Sequence, residues 1–269
     1  MTTLILPLIL FVCIQATPPA QEAAPASVEA ANDQESVSVD RLLDRLEKSG
    51  ASLKSLHGDL TYRVHDSLLD EAETRIGRIV LQQKPDGDRR FAFVFEEVIL
   101  PGGRGHKEKQ AYIYRDGWLI QLDHAHKQMI KRQLVEDGSE LDPLKIGEGP
   151  IPIPIGQPRA EVLARFEAGF APAPDHPLLK RLKDIHSLRL VPRVGTSMAE
   201  DTERIDIHYD RKTLAPIGID MLMSNGDRKT AMLRNVALDR ALATEEIALL
   251  QTSTPASDQW TIDVRPLKK

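Results

Sequence analysis

A chain of 269 residues, 41% of them hydrophobic, is long enough to bury one large core or two small ones. Its 35 Lys and Arg stand against 40 Asp and Glu, a formal charge of -5, which argues against a dedicated nucleic-acid binder, since that function calls for a basic excess. The single cysteine, Cys13, rules out an internal disulfide and a cysteine-based metal site.

Residues 4–14 form an apolar run too short to span a bilayer but of the length of a secretory signal core, so export with cleavage after Ala16 is expected, although no Lys or Arg precedes the run. Leu10-Phe11-Val12-Cys13 carries the leucine of a bacterial lipobox, yet Val12 stands where a small residue belongs. Lipidation of Cys13 is therefore the minor alternative to a plain signal-peptide cysteine. Residues 17–37, rich in Ala, Pro, Glu, Gln and Ser, bury too little to offset their ordering entropy and read as a disordered leader. The folded domain is assigned to 38–269.

Val39, Leu42, Leu43 and Leu46 recur at helical spacing, with Ser38 as cap and Gly50 as stop, which predicts a helix over 39–49. Strands follow at 60–64, at 77–83 up to the Lys84-Pro85-Asp86-Gly87 turn, and at 90–95, where Phe91, Phe93 and Phe95 share one face. Pro101-Gly102-Gly103-Arg104-Gly105 breaks the chain without the strand-to-helix setting or the Lys-Ser/Thr of a phosphate loop. A three-strand meander covers 111–114, 118–122 and 129–134, turned first at Asp116-Gly117, with Trp118, Ile120 and Leu122 on one side.

Alternate prolines at 150–154 hold the 147–156 segment extended and outside any central strand. A helix over 158–169 with Val162, Leu163, Phe166 and Phe170 comes next, then a helical turn or two at 178–182 and a strand near 188–194. A second meander, 204–209, 216–223 and 229–236, turns at Asn225-Gly226 and gives Ile217, Ile219, Met221 and Met223 a common apolar face. A helix over 244–250, capped by Thr244, precedes a last strand at 260–264. Together these elements predict an α+β domain with a single curved antiparallel sheet and a few helices.

The order of these elements resembles the periplasmic outer-membrane lipoprotein carrier (LolA-like) family: an opening helix at 42–56, a strand at 60–64, a Gly-x-hydrophobic strand closed by a basic-Pro turn at 77–85, the aromatic strand 91–95, an Asp-Gly hairpin with Trp118, and later hairpins at 206–236. The resemblance covers 39–264 and rests on order, not on one motif. It implies an incomplete β-barrel covered by helices, whose apolar hollow shields acyl chains, each exposed methylene of which costs roughly 0.8 kcal/mol in water. It also implies inner-membrane release and outer-membrane acceptor proteins as partners, and a monomer in the periplasm. The family's basic-Pro turn usually presents an arginine that latches the lid; here Gln83-Lys84-Pro85 offers Lys84, which lacks the planar fork of a guanidinium.

On this reading Phe91, Phe93, Phe95, Trp118, Ile120, Met221 and Met223 line the acyl-binding hollow and Lys84 is the lid latch. Side chains of this kind are more often ordinary core than ligand wall. His124-Ala125-His126 with Asp123 falls in a turn without a third ligand, so no metal is expected. Asp206 and His208 sit near no Gly-x-Ser-x-Gly nucleophile elbow, so no catalytic residue and no cofactor are expected either. Three classes stay open: a non-catalytic carrier of lipoprotein or lipid acyl chains toward the outer membrane, which is the reading taken; an envelope protein-interaction or stress-sensing module on the same fold; and, least favoured, a hydrolase or metalloprotein.

Overall fold

The computed structural model describes residues 38–84, 88–135, 155–251, 255–256 and 259–267; the expected signal and leader, Cys13, the Pro85-Asp86-Gly87 turn and most of the 147–156 segment lie outside them. The chain runs α1 (Val39–Ser52), β1 (Ser55–Asp66), β2 (Glu71–Gln83), β3 (Arg89–Ile99), β4 (Gly105–Arg115), β5 (Trp118–Asp123), β6 (Gln128–Gln133), α2 (Arg159–Arg165), β7 (Phe166–Phe170), β8 (Ile185–Pro192), α3 (Met198–Asp201), β9 (Thr202–Asp210), β10 (Pro216–Met223), β11 (Arg228–Leu238), α4 (Thr244–Leu250) and β12 (Thr261–Arg265). All twelve strands join one sheet in the order β12-β6-β5-β4-β3-β2-β1-β11-β10-β9-β8-β7. Every pair is antiparallel except β12 on β6, and the sheet is open, with β12 and β7 at its edges. This is the α+β architecture expected from the sequence: a mostly antiparallel sheet with four helices that does not close into a barrel.

Local chemistry sets the hairpins. Asp116 and Gly117 both take positive φ, 51° and 78°, the backbone of a two-residue turn whose twist matches the strands it joins. At the opening of α1, Ser38 is extended and its hydroxyl accepts from Arg41 N at 3.2 Å, meeting one of the helix's orphan donors. The cap of α4 differs from expectation: Glu246 reaches back to accept from Ala243 N at 2.7 Å, and Thr244 lies inside the helix.

Two other elements depart from the pattern read in the sequence. The helix predicted over 158–169 ends at Arg165, and Phe166 to Phe170 instead pair with β8 as an edge strand, where a ladder of backbone bonds replaces the helical ones. The strand predicted from 111 begins at Gly105, because the polar residues Lys107 and His106 pair with Glu97 and Val98 on a stretch too charged to read as a strand.

The sheet buries both faces. On one, α1 and α2 cover a core that includes Leu42, Leu43, Leu60, Phe91, Phe93, Phe95, Ile207 and Met221. On the other, α4 and Trp260 cover a smaller core of Val80, Val94, Ile113, Ile120, Leu122, Met129 and Leu250.

Candidate functional site

The helical cover is held at three places. Leu42 and Leu43 are buried at 0% and 3% exposure on the sheet, with Leu46 packed beside them. The start of α2 is tied to one stripe of α1: Arg159 N donates to Glu47 Oε2 at 3.0 Å, and its guanidinium meets Asp40 and Asp44. The end of α1 lies against the incoming crossover with no side chain between, since a Cβ placed on Gly50 would sit 1.9 Å from the Gly156 Cα. Gly50 is thus the contact that lets the helix pass close, and α1 continues through it to Ser52 instead of stopping there.

Along α1 the packing leaves two small clefts that open to solvent. Leu46, Gly156 and Tyr209 line both. The remaining side chains are almost all aliphatic, among them Leu43, Leu53, Leu56, Ile155, Leu188 and Leu214; Ser49 and Gln157 are the polar exceptions, and no charged residue among those described lines either cleft. Tyr209 lies in strand β9 on the face of Ile205 and Ile207, and burial pushes its phenol well above the usual tyrosine range.

Of the residues singled out in the sequence, Phe91, Phe93, Phe95 and Met221 fall together in the core beneath the helices, with Met223 packed against it. The phenylalanines are at most 1% exposed; Phe91 touches the ring of Phe93 and stacks on Tyr114 at 5.5 Å between centroids. Trp118 and Ile120 lie on the opposite face. Cross-strand partners share a face, and the register runs Phe91, Tyr114, Leu119 on one side and Ala92, Ile113, Ile120 on the other, so Leu119 faces the helices in their place. Ile120 belongs to the core under α4, while Trp118 is half-buried with Lys131 Nζ 4.3 Å from its ring centroid. Lys84 does not reach the cover: its Nζ pairs with Asp88 Oδ2 at 3.0 Å. Arg89 supplies the basic contact there, donating from Nη1 to the carbonyl of Ile155 at 3.4 Å. Neither Arg89 nor Tyr209 was singled out by spacing, although Tyr209 does continue the alternation of Ile205 and Ile207.

Across β8–β11 the face away from the helices carries a buried ion ladder. Arg189 grips Asp206 with two bonds of 2.7 Å, Arg228 grips Asp220 with two more, and Arg204 bridges toward both carboxylates. His208, 1% exposed, bonds Ser187 Oγ at 2.9 Å, and burial holds its pKa below the ordinary value. Each acid there is neutralised by arginine, the arrangement of a structural network. His124 packs edge-on against Trp260 while His126 bonds Asp123, so the two rings of that turn take different partners. Among the described residues no group of three or more His, Cys, Asp or Glu is placed to hold a metal ion.

No protein-family profile and no curated protein matches the sequence. Among solved structures, similarity is found to the MucA/MucB complex of Pseudomonas aeruginosa (15% identity, TM-score 0.43, 78% of this chain and 60% of that chain). It is found also to an uncharacterized conserved protein of Thermus thermophilus (13%, 0.45, 83% and 97%) and to a LolA superfamily protein of Nitrosomonas europaea (12%, 0.30, 78% and 96%). The chain thus spans about 60% of the MucA/MucB chain it matches. These are likenesses at low identity and low TM-score, and none of them carries a role to this chain.

Proposed function

We propose that this protein is a non-catalytic periplasmic carrier that holds acyl chains of lipoproteins or lipids beneath α1 and α2 during transfer toward the outer membrane. The observation that carries the reading is the pair of uncharged, aliphatic clefts meeting under a helix that is pinned at few points. As they stand the clefts enclose room for little more than a water molecule, so loading requires the helical cover to lift. The energetics permit it. Exposing Leu42, Leu43 and Leu46 costs roughly 1.5–3 kcal/mol each, whereas burying a chain of about sixteen carbons returns roughly 0.8 kcal/mol per methylene, about 12 kcal/mol in all. An acyl chain therefore outweighs the three leucines it displaces, and its departure lets them close again.

Native mass spectrometry of the protein purified gently from its own envelope tests this. Copurifying lipid or lipoprotein, released by organic extraction, is the expected result; an empty protein across mild conditions would count against carriage. The second reading, an envelope protein-interaction or stress-sensing module, is favoured by the complete burial of Phe91, Phe93 and Phe95 among the protein's own side chains. In that case the same preparation would retain a protein partner and no lipid.

A further inference from the structure

The segment between β7 and β8, residues 171–184, lies on the face of the sheet that points away from α1 and α2, and few contacts fasten it there. Its backbone is tied at the two ends, where Ala171 N donates to the Ser187 carbonyl at 2.9 Å and Arg211 N donates to the Asp184 carbonyl at 2.8 Å. Between them, every backbone–backbone bond among the described residues stays within the segment. Most of its residues are exposed, but Leu179 is fully buried while belonging to neither core. Leu179 and Leu182 rest on Gly218, where a Cβ would come within 3.0 Å of Leu179 Cδ2 and 2.8 Å of Leu182 Cδ1. An ion pair adds to this, Arg228 Nη2 donating to Asp175 Oδ1 at 2.8 Å.

His176 is the titratable part of the fastening. It is 8% exposed, and its Nδ1 lies 3.3 Å from the Leu178 amide nitrogen, which can only donate. The ring is therefore neutral there, with its proton on Nε2, and a proton added at Nδ1 sets two donors against each other. Around the ring stand Arg228 of β11, Asp220 of β10, Arg63 of β1 and Asp175 of the segment itself. Burial and the two arginines oppose the added proton, and both carboxylates are already gripped by Arg228.

We propose that residues 171–184 form an acid-released strap, closed while His176 is neutral and lifted when its Nδ1 takes a proton. Once lifted, the ring titrates near the ordinary histidine value of about 6.5, whereas the closed ring resists its proton. Closure is therefore fully favoured above that pH and is lost as the pH falls below it. The ion pair stays charged in that window, because Arg228 holds the Asp175 carboxyl below the usual carboxylate range. Lifting breaks no strand ladder and uncovers Leu179, Leu182 and the sheet around Gly218.

Hydrogen exchange on the full chain, from about pH 8 to about pH 5 and corrected for intrinsic rates, tests this. The Leu179, Lys180 and Leu182 amides, which donate within the segment, should exchange faster by up to about tenfold per pH unit below pH 6.5, the limit for one linked proton. The β1–β11 ladder should keep its protection, and carbene footprinting of the Leu179 and Leu182 side chains should rise in step with the exchange. His176→Gln, which keeps an acceptor but does not titrate, should stay closed across the range; Asp175→Asn should raise exchange at every pH and retain the acid step. A flat profile in the unaltered chain overturns the proposal, as does an acid step that survives in His176→Gln. So does a ladder that opens together with the segment, which reports global unfolding, or exchange that rises without footprinting, which reports a turn fraying in place. Should His176→Gln not fold, the unaltered chain and Asp175→Asn decide by the same readings.

Discussion

Gly50 and Gly156 meet backbone to backbone where α1 reaches the crossover, and this contact leaves no room for a methyl group. Gly50→Ala should therefore push the end of α1 away from the sheet and lower stability by about 1–3 kcal/mol, the usual cost of overpacking, measured as a shift in the urea midpoint. A buried charge gives a second expectation. Asp220 is gripped by Arg228 and accepts from Thr230, so Asp220→Ala leaves guanidinium groups without their main partner. Because Arg228 keeps Asp175 and a quarter of its side-chain exposure, the expected loss is about 2–3 kcal/mol, below the full cost of breaking a wholly buried pair. At this scale the sequence was only partly legible. Alternation placed Phe91, Phe93 and Phe95 together, but which side of the neighbouring strand joins them depends on register, and register is not written in composition: Leu119, not Trp118 or Ile120, shares their face.

Helix α1 is the element whose motion the carrier reading requires, and its anchoring can be weakened selectively. Ser38→Ala removes the N-cap bond and should cost about 1 kcal/mol. Amide exchange should then rise across α1 while the β1–β11 ladder keeps its protection; a uniform rise would instead report global destabilisation. The segment between β7 and β8 is a second element with its own sensitivity. Leu179 and Leu182 pack over Gly218, beside His208, and His176 is buried within the same segment. Burial lowers the pKa of both histidines; Arg228 and Arg63 add to the effect at His176, while Asp206 and Asp220 oppose it at His208. An unfolded histidine takes up its proton near pH 6.5 and these buried rings resist it, so the unfolded state gains protons first as the pH falls. Stability should be full above about pH 6.5 and decline below it, with a flatter profile in His208→Asn, checked by urea titrations at several pH values. Where elements were legible, turns made them so: Asp116-Gly117 and Asn225-Gly226 mark their hairpins. The edge strand β7 was missed because its residues also satisfy helical spacing, and only pairing with β8 decides between the two.

At the scale of the whole molecule, the central seam of the sheet joins segments distant in the chain. Strands β2 to β6 follow each other as neighbours on one side of β1, and β7 to β11 run as neighbours on the other, so β1 and β11 join these two runs, while β12 crosses back to pair with β6 at one edge. The two meanders were readable in the sequence because each is local; the seam and the parallel placement of β12 beside β6 were not, because they join distant segments whose side chains carry no mutual mark. Loss of β11 pairing should accordingly unfold the protein as a unit.

That seam also sets when the sheet can be completed. The partners of β1 on this side lie between Arg228 and Leu238, more than 160 residues further along the chain, so while synthesis proceeds, one whole edge of β1 from Leu56 to His65 stands open beside a finished half-sheet. An open edge of this length is a template for strand pairing with any passing chain. The nascent protein consequently faces its greatest hazard of misassembly in the interval before β11 arrives.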